Sequence, residues 1–291
     1  MDIEITELLA KELIAEQFPN WANLSIKSVE FSGHDNRTFH LGDEMLIRLP
    51  SAEKYVDAVS KEQKWLPVLA PNLSFHIPKP LALGKPSKNY PWNWSIYKWI
   101  KGESANSFDA SSLNLSLIAS DLAKFLNELH KIDITDGPIP GTHNFWRGGN
   151  LAVYNLETKS AIKSLKNLVD ADKALSVWEK ALNSQWNKKP VWIHGDFASG
   201  NIIIKNGKLD AVIDFGGIAV GDPACDLVII WTFLQNEARK VFKEKLPLDD
   251  DTWDRARGWA LWKALIAPLD GLYAVKNLQI IHDILYEHEK L

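Results

Sequence analysis

Two polar motifs separated by a run of apolar residues decide how this chain folds. Residues 194–201 read HGDFASGN and residues 213–216 read IDFG. Between them lies Asn206-Gly207, a dipeptide that is among the strongest signals for a two-residue hairpin turn. The sequence therefore predicts an antiparallel β-hairpin that carries one polar motif at each end of its open side.

The turn also predicts which side chains share a face of this hairpin. It pairs Lys205 with Lys208 and sets Asn201 opposite Val212, so that Asn201 and Asp214 lie diagonally on one face. Diagonal neighbours are about 7–8 Å apart, and a magnesium ion with oxygen ligands at roughly 2.0–2.1 Å can bridge that span. The other face is apolar, with residues 202, 204, 209, 211 and 213. This register predicts a metal site at the open end of the hairpin.

Asp196 lies five residues before Asn201, on the loop that leads into the hairpin. The pattern HGD, then Asn201, then DFG resembles that of the aminoglycoside phosphotransferase and choline kinase superfamily, whose architecture is similar to that of protein kinases. The segment GDPACDL at residues 221–227 and the order of β-rich and helical regions extend the resemblance along nearly the whole chain.

The resemblance implies a role for each polar residue of the motif. Asp196 matches the catalytic aspartate, which accepts or orients the proton of the acceptor hydroxyl, and Asn201 and Asp214 match the ligands of Mg²⁺. Asp226 matches an aspartate that supports the catalytic loop, and His194 is expected to orient that loop. Both of these are structural supports of the site.

The order of elements along the chain predicts an α+β, bilobal, protein-kinase-like fold. Residues 1–98 are expected to form a β-rich nucleotide-binding lobe, with strands at 26–31, 38–41 and 44–49 and a two-residue turn at Gly42-Asp43. After a hinge near residues 98–102, residues 99–291 are expected to form the larger helical lobe, which holds the catalytic loop and the acceptor site.

The nucleotide side follows from the resemblance and from the needs of phosphoryl transfer. ATP or GTP is the expected donor, and its phosphates need a cation and a covering loop. The covering loop is expected at residues 32–37, with Ser32 and Gly33 as contacts. Arg48 stands where these kinases normally carry lysine, and Glu62 is its expected carboxylate partner. The alternative reading of Arg48 and Glu62 is an ion pair that only stabilises the lobe.

The hinge is where the family places the adenine or guanine base. Trp99 and Ile100 are the expected contacts of the base there, and several aromatic residues just before them could stack on it or fill the core.

Composition limits the other classes of function. The chain has 291 residues, a formal net charge of −4 and an isoelectric point near 6.1, which argues against a nucleic-acid partner. Cys225 is the only cysteine, which suits a reducing cytoplasm. The acidic segment Met1–Phe18 does not read as a signal peptide, and no apolar run is long enough for a membrane span. We expect a cytoplasmic monomer or homodimer.

The expected acceptor is a hydroxylated small molecule, such as an aminoglycoside, a macrolide, choline or an amino sugar. Ala198 stands where protein kinases generally carry a lysine or arginine, which points away from peptide substrates. A polycationic acceptor would need carboxylates, and the candidates are Glu103, Asp222, Asp249, Asp250, Asp251 and Asp254. Four tryptophans are candidates for either the cleft or the core: Trp231, Trp253, Trp259 and Trp262. The loop 143–149 is a candidate acceptor loop.

Three other readings remain open from the sequence. Arg48 and the glycine-poor loop suit a nucleotide-binding pseudokinase that has lost phosphoryl transfer. A choline or amino-sugar kinase would use the same site on a metabolite. A metal-dependent hydrolase could use His194, Asp196, Asp214 and Asp226, although no second metal-ligand motif accompanies them.

Overall fold

The computed structural model describes residues 3–30, 33, 35–267 and 274–290. Within them, the first third of the chain forms an antiparallel sheet of five strands in the order β1-β2-β3-β5-β4. Their bounds are β1 Ile26–Ser28, β2 Asn36–Leu41, β3 Met45–Pro50, β4 Pro80–Gly84 and β5 Trp94–Lys98. Helix α1, Glu7–Gln17, covers one face of the sheet, and helix α2, Val56–Leu69, lies at the side that faces the rest of the molecule.

The alternation of apolar side chains along β2 and β3 explains the packing of α1. Phe39 and Leu41 on β2 and Ile47 and Leu49 on β3 are buried, because every second side chain of a strand points to the same face. They form one hydrophobic cluster with buried residues of α1 and β5: Leu9, Ala10, Leu13, Ile14, Trp94 and Ile96.

The turn between β2 and β3 has three residues and not the expected two. Leu41 pairs with Met45, so residues 42–44 form the turn and β3 begins one residue later than expected. Gly42 has a φ of 60°, a left-handed conformation that glycine adopts readily. The first strand is also shorter than expected, because β1 ends at Ser28; Phe31 lies outside the described residues.

Helix α2 continues through Pro67, close to its C-terminal end. A proline inside a helix costs about 3 kcal/mol, because it removes one hydrogen bond and crowds the preceding turn. Trp65, Leu66 and Leu69 are buried in the same cluster as the C-terminal helices. Burial of each such side chain contributes about 1.5–3 kcal/mol, which offsets the defect and extends the helix to Leu69.

The rest of the chain is mainly helical, as the sequence predicts. The helices are α3 Leu115–Leu129, α4 Asn155–Ser164, α5 Ala171–Asn183, α6 Ile229–Thr232, α7 Asn236–Glu244, α8 Asp250–Ile266 and α9 Ala274–His288. Between them lie short strands, β6 Glu103–Ser104, β7 Val191–Ile193, β8 Ile202–Lys205, β9 Lys208–Val212 and β10 Ala219–Gly221. The apolar face of α3 is fully buried, with Ile118, Leu122, Phe125, Leu126 and Leu129 all at 0% exposure. None of the described helices combines the length and apolarity needed to cross a bilayer.

Helices α5 and α8 pack so closely that one of them needs a glycine at the contact. A Cβ added at Gly258 would lie 2.5 Å from the Cβ of Ala181. We therefore expect Gly258→Ala to lower the free energy of unfolding by about 1–3 kcal/mol, the usual scale for overpacking a core. Urea unfolding followed by circular dichroism measures this.

The double variant Gly258→Ala/Ala181→Gly is the matched control for that contact. Glycine at position 181 destabilises a helix by about 1 kcal/mol on its own, but it also removes the clashing methyl group. The two changes should therefore destabilise less together than the sum of the single variants. Simple additivity, or a Gly258→Ala variant as stable as the wild type, would contradict the close packing.

Candidate active site

The hairpin 202–212 that carries the polar motifs contains a β-bulge that the sequence does not reveal. Lys205 pairs with Lys208 as predicted, but the register shifts by one residue between Ile203 and Ile204. The amide of Ile213 consequently donates to the Asn201 carbonyl at 2.9 Å, and the predicted pairing of Asn201 with Val212 is wrong.

The bulge has a physical reason in a third chain segment beside the hairpin. The His76 amide donates to the carbonyl of Asp210, and the Val212 amide donates to the carbonyl of His76. Asp210 is the extra residue on β9, and the local bend that a bulge produces lets β9 meet this segment. Asn201 and Asp214 are thus brought together at the end of the hairpin by a backbone pairing and not as diagonal neighbours.

The loop that holds Asp196 is fixed from below by the buried carboxylate of Asp226. The amides of His194 and Gly195 donate to its two oxygens at 2.6 and 2.8 Å. Burial raises the pKa of the Asp226 carboxyl, and the His194 ring and the two amide donors offset part of that rise. Gly195 has a φ of 81°, and a Cβ there would lie 2.2 Å from the carbonyl oxygen of Gly217.

His194 joins the two polar motifs. Its Nδ1 accepts from the amide of Asp196 at 3.2 Å, which places the ring proton on Nε2, and Nε2 donates to the Ile213 carbonyl at 3.0 Å. The buried ring therefore sets the distance between the Asp196 loop and the segment that leads to Asp214.

The Asp196 carboxylate has three side chains around it. Asn201 Nδ2 donates to the Asp196 carbonyl at 2.9 Å and to its Oδ2 at 3.3 Å. Lys263 Nζ lies 3.2 Å and Arg147 Nη1 lies 3.4 Å from Oδ1. Burial favours the neutral acid, but the positive charges of Lys263 and Arg147 outweigh it and hold the pKa of Asp196 below its usual value. Asp196 is therefore ionised at neutral pH, as a proton acceptor must be.

Asp214 lies at the other end of the hairpin in a left-handed conformation, with a φ of 65°. Its Oδ1 accepts from Arg48 Nη2 at 2.9 Å, and its side chain is 40% exposed. The oxygens of Asp214 and Asn201 are the ligand type that Mg²⁺ prefers, and two protein ligands suit an ion that completes its shell with water and phosphate oxygens. The described part of the chain contains no cluster of three or more His, Cys, Asp or Glu that could hold a metal.

Glu62 on α2 connects Arg48 to the Asp214 loop. Arg48 Nη1 donates to Glu62 Oε1 at 3.2 Å, the Phe215 amide donates to the same oxygen at 2.9 Å, and the Tyr97 hydroxyl donates to Oε2 at 2.5 Å. Burial opposes the charge on Arg48, but Asp214 and Glu62 outweigh it and raise the pKa of the guanidinium further. Arg48 thus stays charged. Sequence reasoning paired Arg48 with Glu62 but gave Tyr97 no part in this contact.

Lys61, next to Glu62, is a residue that the sequence did not single out. Its Nζ donates to the carbonyl of Gly216 at 2.5 Å and to that of His143 at 3.2 Å, and it lies 2.9 Å from His143 Nδ1. Burial lowers the pKa of Lys61 to about 8. Lys61 and Glu62 together hold the backbone of residues 215–216 against α2.

A family model described as the phosphotransferase enzyme family matches residues 26–259, which include all the residues of this site described above except Lys263. The chain belongs to the phosphotransferase enzyme family. The resemblance inferred from the motif spacing is thereby confirmed.

This member of the phosphotransferase family is similar in sequence to one aminoglycoside phosphotransferase and similar in fold to several solved structures. An aminoglycoside 3'-phosphotransferase from Escherichia coli is 26% identical over 155 residues, an alignment that covers 49% of this chain and 53% of that relative. The chain thus matches about half the length of that protein.

Solved structures share the fold over nearly the full length. Aminoglycoside 2'-phosphotransferase-IIIa in its GDP complex has a TM-score of 0.76 with 19% identity, covering 98% of this chain and 100% of that one. Macrolide 2'-phosphotransferase type I has a TM-score of 0.62 with 17% identity, covering 99% and 98%. The predicted bilobal, kinase-like α+β fold is confirmed.

The residues expected to contact the nucleotide lie in the loop before β2 and directly after β5. Ser32 lies outside the described residues, and the carbonyl of Gly33 accepts from Arg37 at 3.3 Å. Trp99 and Ile100 are half-buried and directly follow β5, and the Trp99 ring packs on His40 with ring centroids 4.3 Å apart. Their contact with a base stays a prediction.

Three of the acidic residues named as acceptor ligands, Asp222, Asp249 and Asp254, have other partners. Asp222 pairs with Arg255 at 2.6 Å and both are buried, and Asp254 pairs with Arg257 and Lys180. Asp249 caps α8, accepting from the Thr252 amide. Asp250 and Asp251 belong to the first turn of α8, about 20 Å along its axis from Lys263, and Glu103 pairs with β8.

The four candidate tryptophans are all buried in the hydrophobic core. Two of them, Trp259 and Trp262, also line a small pocket beside Asp196. Arg147, from the expected acceptor loop, lines the same pocket, as does Lys263, which the sequence did not indicate.

The three contacts of Glu62 generate a prediction about Arg48. We expect Arg48→Ala to raise the Michaelis constant for the nucleotide and to lower kcat, because it removes a fixed positive charge from the side of Asp214 where phosphates would lie. Arg48→Lys should retain part of the activity, since the positive charge stays but the bidentate hydrogen bonding of a guanidinium group is lost. Steady-state kinetics with varied nucleotide measures both.

Lys27→Ala is the matched control, because Lys27 lies on β1 of the same sheet, is exposed and has no part in the proposed site. It should leave kcat within about twofold of the wild type, the scale of a surface substitution. An Arg48→Ala variant with wild-type kinetics would restrict Arg48 to a structural ion pair.

Proposed function

We propose that this protein is a Mg²⁺-dependent kinase that transfers the γ-phosphoryl group of ATP or GTP to a hydroxyl of a small molecule. The acceptor classes are aminoglycoside or macrolide antibiotics and similar hydroxylated metabolites. The observation that carries the proposal is the convergence of Asp196, Asn201 and Asp214, with Arg48 2.9 Å from Asp214. The family and the names of its relatives support the same reaction.

Each residue of the site has a task in this reaction. Asn201 and Asp214 would hold Mg²⁺, which when bound neutralises charge on the donor phosphates. Arg48 holds the same phosphates from the strand side, and Glu62 and Tyr97 keep Arg48 in place. Asp196 accepts the hydroxyl proton. The bond from the γ-phosphorus to its bridging oxygen breaks, a bond to the acceptor oxygen forms, and the products are a nucleoside diphosphate and a phosphate monoester.

The nucleotide would lie between the two parts of the chain, residues 1–98 and 99–291. Ser32 and Gly33 would cover its phosphates, and Trp99 and Ile100 would contact its base. Asp226 and His194 act as positioning residues, because they hold the backbone around Asp196 and do not face the substrates. The same engagement of both His194 nitrogens and both Asp226 oxygens disfavours a hydrolase in which these residues bind a metal. Cys225 is buried and forms no disulfide, which suits a protein of the reducing cytoplasm. We propose that the protein acts there as a monomer or a homodimer, with a small molecule as its acceptor.

Substitution of the two aspartates separates their roles. Asp196→Asn should leave nucleotide and Mg²⁺ affinity nearly unchanged and lower kcat by about 10²-fold or more, the usual loss for a positioned base. Asp214→Asn should weaken Mg²⁺-dependent nucleotide binding as well as kcat. Calorimetric titration with nucleotide, with and without Mg²⁺, and a coupled assay of nucleotide consumption measure these effects.

Asp210→Asn is the control, because Asp210 lies on the same hairpin but contacts His76 outside the site. It should keep wild-type binding and turnover. Loss of Mg²⁺ dependence in Asp196→Asn and its retention in Asp214→Asn would reverse the two roles. Nucleotide binding by the wild type with no turnover on aminoglycosides, macrolides, choline, amino sugars or water would instead identify a pseudokinase.

A further inference from the structure

The pocket beside Asp196 is built entirely from the C-terminal part of the chain. Its lining includes Arg147, Asp196, Trp259, Trp262 and Lys263, and every residue that lines it lies after position 146. The Arg48 side chain and the Asp214 loop, which would meet the nucleotide phosphates, are not among them. The pocket is therefore the acceptor side of Asp196, and its charges act on the acceptor.

Two cations and one carboxylate face this pocket. Lys263 and Arg147 both approach the same oxygen of Asp196, at 3.2 and 3.4 Å, and their side chains are 46% and 22% exposed. Two positive charges against one negative charge leave a formal balance of +1 at the point where an acceptor must enter.

Other charged groups near the pocket do not reverse this balance. Glu157 accepts a hydrogen bond from the Nε1 of Trp262 at 2.7 Å, but it does not line the pocket. It lies on an exposed stretch of α4, where solvent screens its charge. His194 lies below the loop with both ring nitrogens engaged, and the thiol of Cys225 is buried with its pKa raised by that burial. The carboxylates of Asp222 and Asp254 are paired with arginines.

The pocket is small and both cations line it. Its free volume is about 20 Å³, which is room for about one water molecule. A hydroxyl that approaches Asp196, whose side chain is 36% exposed, comes close to both Lys263 and Arg147. An acceptor bound there removes water from these two cations, and a cation that loses water without gaining an anionic partner is strongly destabilising. An ammonium group on the acceptor would increase the positive charge, whereas an anionic group would compensate it.

We propose that the acceptor carries a carboxylate or phosphate group close to the hydroxyl that is phosphorylated, and that Arg147 and Lys263 bind this group and release Asp196 to accept the proton. The inference rests on the kinase function proposed above. Of the acceptors named there it keeps the hydroxylated metabolites that carry an anionic group and disfavours the aminoglycosides and macrolides. Arg147 and Lys263 are then residues that determine specificity, and the bonds formed and broken are those of the kinase reaction.

A series of hexoses that differ mainly at carbon 6 tests the charge. We expect glucuronate, with a carboxylate, or glucose 6-phosphate, with a phosphate, to exceed glucose and 6-amino-6-deoxyglucose in kcat/KM by about tenfold or more. Gluconate and kanamycin extend the comparison to an open-chain anion and a polycation. Formation of the phosphate monoester is measured directly, and the two anionic arms separate a carboxylate site from a phosphate site.

Variants of the two cations test the cause of the preference. Lys263→Met and Arg147→Met should each reduce the ratio of kcat/KM for anionic over cationic acceptors by about tenfold, and Lys263→Arg should keep it. Lys240→Met, on the exposed side of α7, is the control and should leave this ratio unchanged.

The outcomes separate this inference from the kinase function. A preference for the neutral or cationic compounds would overturn the inference and leave the kinase function in place. If Lys263→Met and Arg147→Met lowered the rate equally with all acceptors and with water, the inference would also be overturned, because the two cations would then act on the transferred phosphoryl group. If water is the only acceptor used, gluconate and glucose 6-phosphate should inhibit nucleotide hydrolysis and kanamycin should not. Equal inhibition by the anionic compounds and by kanamycin would overturn the inference. No transfer to any compound or to water would refute the kinase function itself.

Discussion

The Glu62 carboxylate accepts hydrogen bonds from the Arg48 guanidinium, the Tyr97 hydroxyl and the Phe215 amide, which belong to three separate segments of the chain. A buried carboxylate without partners is strongly destabilising, so each of these segments is held where it can reach Glu62. Two parts of the proposed donor site depend on this. Arg48 remains pointed at Asp214, and the backbone after Asp214 remains in the turn that presents its carboxylate.

Asp226 acts in the same way on the acceptor side. Its buried oxygens accept from two consecutive amides at His194 and Gly195, so the loop before Asp196 has little freedom. Asp196 itself is left with side-chain partners only, and these are the groups that a substrate can replace. The site thus combines a fixed backbone with a carboxylate whose contacts are exchangeable, which is the arrangement that a proton acceptor requires.

How much was predictable depended on how local the signal was. The spacing of Asp196, Asn201 and Asp214 and the Asn206-Gly207 turn lie within one short stretch, and they predicted the family and the centre of the site. The bulge at Asp210 was not predictable, because it follows from hydrogen bonds with His76, far away in the sequence. Lys263 was missed for the same reason, since it meets Asp196 only through the packing of α8.

Helix α2 belongs to the first third of the sequence but is fastened to the second part of the molecule. Trp65, Leu66 and Leu69 are buried in the C-terminal core, and Lys61 and Glu62 hold the backbone at residues 215–216. If the space between the five-stranded sheet and the helical part widens to admit a nucleotide, α2 has to move as one rigid body with the helical part. The hinge movement then falls between α2 and the five strands, where the hydrogen bonds of Glu62 with Arg48 and Tyr97 and those of Gln63 with β4 and β5 would have to stretch.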